Sequence, residues 1–158
     1  MSTISSKTIS SNLDKSLRLA RIASIGAIVL GVIFIVVGIV AWIAVSVTLR
    51  AEGITVSEGA PFLEGWEVAG PLTAFAQASI INTHALAMTD GLTYAQLAQD
   101  DPMRATVMNA SFLRASLFTS VISFGVALFA IGVGVVSILL GWTSKTLLKA
   151  RGASAVAA

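Results

Sequence analysis

Ile22 to Val47, IASIGAIVLGVIFIVVGIVAWIAVSV, carries no charged side chain. This run of about 26 residues exceeds the roughly 20 that a helix needs to cross a ~30 Å hydrocarbon core. A second uncharged run, ASLFTSVISFGVALFAIGVGVVSILLGW, extends from Ala115 to Trp142. The two runs decide the fold class. They predict an all-α membrane protein: a two-helix transmembrane hairpin with a small, mainly helical extracytoplasmic cap.

Composition agrees. Of the 158 residues, 56% are hydrophobic and 11% charged, against about 25% charged in ordinary globular chains. Mean hydropathy is +0.89. A cleaved signal peptide would share the basic flank of Lys15, Arg18 and Arg21. Its apolar core would be shorter, about 7–15 residues, and followed by a small-residue cleavage site. Trp42 and Trp142 lie toward run ends, where an indole suits the headgroup level.

Lys and Arg set the orientation. The N-terminal flank holds Lys7, Lys15, Arg18 and Arg21, and the C-terminal flank Lys145, Lys149 and Arg151. Between the spans, three basic residues (Arg50, Arg104, Arg114) face seven acidic ones, a net −4. Positive flanks belong inside, so both termini are expected in the cytoplasm and the loop outside. The expected layout is a cytoplasmic tail at 1–20, spans at 21–49 and 115–143, an extracytoplasmic loop at 50–114, and a cytoplasmic tail at 144–158. The first tail reads as mostly disordered, with Asp14 as the earliest helical position.

Within the loop, Glu52 to Gly70 reads as extended chain and turns. Pro71 suits a first helical turn because its missing N–H would be unpaired there. A helix is predicted over about 71–89, with Gly91 available for a left-handed stop. Thr93-Tyr94-Ala95-Gln96 fits a capping box and predicts a short helix at 93–100. Asp101-Pro102 is a helix start, predicting a helix at 102–114 that continues into the second span.

Catalytic chemistry finds little to stand on. With one histidine, His84, and no cysteine, the chain lacks the two His and a carboxylate of a non-haem iron site. Asp100 and Asp101 read as capping groups, and Glu64 and Glu67 as a solvated acidic patch. No phosphate-binding glycine loop, Ser-His-Asp set or nucleotide fingerprint is present. The acidic loop argues against nucleic acid as a partner. No metal, cofactor or catalytic residue is therefore assigned.

Small residues within the spans are the informative feature, because they let backbones approach closely in lipid. Ala23, Ala27 and Gly31 repeat at four, with Gly38 seven beyond. In the second span Gly125 and Gly132 are seven apart, as are Gly134 and Gly141, and Ala130 precedes Gly134 by four. These are the candidate packing residues, and three readings are open for them: pairing of the two helices, a further face for a second protein, and the ordinary abundance of glycine in membrane helices. Phe62, Trp66, Phe75, His84 and Tyr94 are the candidate loop-binding residues.

Several segments carry a family resemblance: Ile54-Thr55-Val56-Ser57-Glu58, Pro61-Phe62-Leu63, Gly70 through Ala78, Thr93-Tyr94-Ala95, Asp100-Asp101-Pro102, and Asn109 through Phe118. Over about residues 20–142 the chain resembles a family of small two-span membrane proteins of actinobacteria. The resemblance implies a bacterial plasma membrane. Members of that family often carry the label "aromatic ring-opening dioxygenase". One histidine does not supply the iron ligands such chemistry needs, and the loop is small for an aromatic substrate and a metal. The expectation is a non-enzymatic protein surrounded by the lipid bilayer: an accessory, assembly or scaffolding subunit with a membrane-protein partner, or a self-associating chain. A ligand-binding or sensing module acting through the loop is the second expectation.

Overall fold

A computed structural model describes residues 2–156, with side chains from 15 to 150. It contains α1 (Ser2–Ala51), α2 (Pro71–Ala87) and α3 (Arg104–Val156). Among the described residues there is no strand beyond one isolated antiparallel bridge, Thr55 with Glu67.

The helices enter into two compact units, 1–38 with 129–158, and 39–128. In the first unit α1 and α3 run antiparallel: Gly31 lies against Gly134, while Ser24 and Ile28 lie against Gly141. Ser24, Gly31 and Gly38 are buried at steps of seven, as are Gly134 and Gly141. A seven-residue period keeps one seam facing its partner when helices supercoil left-handedly.

In the second unit the core gathers Leu49 of α1, Val56 and Val68 of the 52–70 segment, Ala74, Ala76 and Ala78 of α2, and Leu117 and Phe124 of α3. Trp42 packs edge-on to Phe124 with centroids 4.7 Å apart. The 52–70 segment doubles back on itself: Val56 N–H donates to Trp66 O (2.8 Å) and Val68 N–H to Ile54 O (2.9 Å). That pairing sends Val56 and Val68 inward, and both are almost fully buried. The extended chain and turns expected there are observed.

α2 begins at Pro71 and ends close to the expected position. Gly91 N–H donates to Leu86 O (2.8 Å), and both Asp90 (φ 49°) and Gly91 (φ 86°) are left-handed. The stop thus uses Asp90 as well as the glycine foreseen for it. Asp101 Oδ1 accepts from Met103 N–H at 2.7 Å, so the predicted cap forms, with α3 starting at Arg104.

Two expectations are corrected. The helix predicted at 93–100 is a set of turns. Gln96 Oε1 does accept from Thr93 N–H (2.9 Å), but the turn does not propagate: a first turn costs more than it returns, and Asp100-Asp101-Pro102 follows too soon. The carbonyls are taken by Arg104, which donates to Leu97 O at 2.6 Å. The first tail, expected to be mostly disordered, is helical, since α1 reaches back to Ser2; α3 likewise runs on to Val156. Between Ser2 and Ile25 no Pro or Gly interrupts the chain, so a helix nucleated in the apolar run pays only the small cost of propagation.

Candidate functional site

Three glycines mark a close backbone approach between the long helices. A Cβ built on Gly31 would stand 2.6 Å from Gly134 O and 2.7 Å from Ile138 Cγ1; one built on Gly134 would stand 2.6 Å from Gly31 O and 2.7 Å from Ile35 Cγ1. The contact is reciprocal, and each glycine leaves room for the other's carbonyl. A Cβ on Gly141 would meet Ser24 O at 2.7 Å and Ile28 Cγ1 at 2.6 Å. Only glycine fits at these three places, and the isoleucines fill the space around them.

The other small residues are placed differently. Gly38 is buried, Ala27 and Ala130 are half-buried, and Ala23 is exposed. Gly125 and Gly132 are exposed, with nothing within 4 Å of an added Cβ. The seven-residue step at Gly125–Gly132 therefore marks an outer face of α3. Ser24, Phe124 and Ala127 are buried and were missed as packing positions. Counting seven back from Gly31 reaches Ser24, and from Gly134 reaches Ala127, so the signal was present. Ser24 is inexpensive to bury because its Oγ donates to Ala20 O at 2.7 Å.

The loop candidates do not converge on one place. Phe62 stacks on Phe75 at 6.4 Å, and Phe75 meets Phe118 edge-on at 5.8 Å. Tyr94 instead lies under the Arg104 guanidinium, 4.3 Å from its ring centroid. Trp66 is 63% exposed, and His84 is exposed on α2. Phe118 and Arg104, both on α3, organise these rings and were not foreseen, since only the fold brings them near the loop.

Thr73 and Gln77, both buried, tie the loop to α2. Gln77 Oε1 accepts from Ser57 N–H (2.9 Å) and its Nε2 donates to Ser57 Oγ (3.1 Å). Thr73 Oγ1 accepts from Ala69 and Gly70 N–H, each at 3.1 Å. A cavity beside Tyr94, Asn82, Ser111 and Arg114 measures about 70 Å³, far below the roughly 300–1,000 Å³ of small-molecule sites. Among the described residues no three His, Cys, Asp or Glu side chains gather as a metal site would require.

What the geometry defines is a class: an all-helical chain with two helices long and apolar enough to cross a membrane, only 11% and 17% of whose most apolar windows are buried. Core helices of a soluble protein would be mostly buried. No protein-family model matches the chain, and neither does any curated protein or solved structure.

Proposed function

We infer that this chain is a two-span protein of a bacterial plasma membrane, folded as a helical hairpin with both termini in the cytoplasm and residues 50–114 outside as a cap. Its role is non-enzymatic: it is an accessory, assembly or scaffolding subunit of a membrane complex, or it associates with itself. The exposed Gly125–Gly132 face of α3 carries this reading. The intrachain contact is built by Gly31, Gly134 and Gly141, so a second small-residue face is left open to a neighbouring helix. Small residues there permit the close backbone approach on which helix association in lipid depends.

Topology is directly testable because the chain has no cysteine. Glu58→Cys and Ser144→Cys each introduce a single thiol at an exposed position. A membrane-impermeant maleimide applied to intact cells should label the first and spare the second until the cells are opened. Labelling in the reverse order would overturn the orientation. Purification of the tagged chain in gentle detergent tests the role: a stoichiometric partner or a defined oligomer is expected. A solitary monomer would contradict it.

A further inference from the structure

The end of α3 beyond the glycine contact bears a feature that helix pairing does not use. Ile138, Trp142, Lys145, Thr146 and Lys149 lie on one face of α3 and, with Ile28 of α1, line an open groove of about 400 Å³. A second apolar depression of about 610 Å³ runs along Val136, Leu139 and Leu140 and shares Trp142 and Thr146 with the first. The exposed indole of Trp142 thus stands as a ridge between two apolar channels, and the channel between the helices opens onto two ammonium groups.

Among the described residues neither lysine has an acidic partner. No acidic residue follows Asp101 in the chain, and α1 carries none from Lys15 to Ala51. Among the described residues the one ion pair is Arg50 with Glu67, in the other unit. Lys145 and Lys149 are one helical turn apart, the spacing at which two side chains on a helix surface reach a common ligand. An apolar channel on each side of an indole, with two lysines at the rim, is complementary to a molecule with two hydrocarbon chains and an anionic head.

We propose that this groove binds an anionic diacyl glycerophospholipid. Its phosphate sits between Lys145 and Lys149, and the acyl chains lie on either side of Trp142. The inference rests on the membrane reading above. Basic pockets at the cytoplasmic ends of membrane helices suit anionic head groups, and each lysine near the surface contributes about 1 kcal/mol. Two lysines then correspond to about a 30-fold preference for an anionic over a zwitterionic lipid at this place.

Trp142 reports on its own neighbours. The full chain with Trp42→Phe and Trp66→Phe keeps Trp142 as its one indole. It is reconstituted in phosphatidylcholine vesicles containing a minor fraction of brominated lipid, which quenches tryptophan on contact. Brominated phosphatidylglycerol should quench far more than brominated phosphatidylcholine at equal fraction. K145Q/K149Q should abolish most of the difference, whereas R18Q/R21Q, which removes the same charge outside the groove, should keep it. The same quenching is obtained without the two background changes by subtracting the signal of W142F from that of the unaltered chain. Equal quenching by both lipids overturns the proposal, and so does an equal loss in the two charge variants. A chain that stays in the aqueous phase overturns the membrane reading along with it, whereas a membrane-inserted chain with no lipid preference overturns the lipid site alone.

Discussion

Gly134→Ala tests the helix contact most sharply. The new Cβ would stand 2.6 Å from the Gly31 carbonyl oxygen and 2.7 Å from Ile35 Cγ1. The oxygen belongs to backbone and cannot rotate away. To reach ordinary contact at 3.4 Å the helices must part locally by about 0.8 Å. A gap of that size forfeits a quarter to a half of each dispersion well along the seam, and overfilled interiors of this kind cost about 1–3 kcal/mol. Gly132→Ala supplies the baseline. It introduces the same methyl into open space, and any gain from replacing glycine in a helix, about 1 kcal/mol in water, is common to both. The assay is an SDS titration in mixed micelles followed by tryptophan fluorescence. Gly134→Ala should fall below Gly132→Ala by about 1–3 kcal/mol. Gly31→Ala probes the same gap from the other side, so the double variant should cost less than the two single costs together. Sites that share a contact are not additive. Equal stability of Gly134→Ala and Gly132→Ala, or strict additivity of the pair, would refute the contact.

Gln77→Ala should cost about 1–3 kcal/mol, because it leaves the Ser57 N–H without its partner in a part-buried site; faster hydrogen exchange at Ser57 accompanies the loss. Arg104→Lys keeps the charge but loses the planar group that both covers Tyr94 and donates to Leu97 O. Earlier proteolytic nicking within residues 93–103 is the expected sign, and an unchanged cleavage pattern would remove Arg104 from its organising role. His84→Ala, at an exposed position on α2, should leave the SDS midpoint within about 0.5 kcal/mol of the unaltered chain. Ferrous iron added to the purified chain should not be retained stoichiometrically after gel filtration; retention of one iron per chain would reopen the dioxygenase chemistry.

How much of this was legible follows from the range over which each signal acts. The two apolar runs, Pro71 at the start of α2, and Asp101 as the cap ahead of α3 were all readable, since each depends on residues within a turn or a span of one another. The capping pattern at Thr93–Gln96 was readable as well, and it misled. Its hydrogen bond forms, but whether one turn becomes a helix depends on what competes for its carbonyls. Here the competitor is Arg104, placed across the turn by α3. The loop aromatics illustrate the same limit. Phe62 stacks on Phe75, which meets Phe118, and Tyr94 is drawn away to Arg104; nothing local to any of these residues contains that sorting.

By itself, then, the sequence determined the all-helical class, the two long apolar helices and the distribution of charge about them, because hydrophobic length and composition are properties of contiguous chain. Which glycines touch was left to tertiary structure. Gly125–Gly132 and Gly134–Gly141 have the same spacing and the same chemistry, yet the first pair lies open and the second is in or beside the seam. The difference is the rotation of α3 about its own axis, which is set by all the side chains that pack against α1 together. Ile28, Ile35 and Ile138 fill the space around Gly31, Gly134 and Gly141 in one rotational setting, and close packing makes that setting specific.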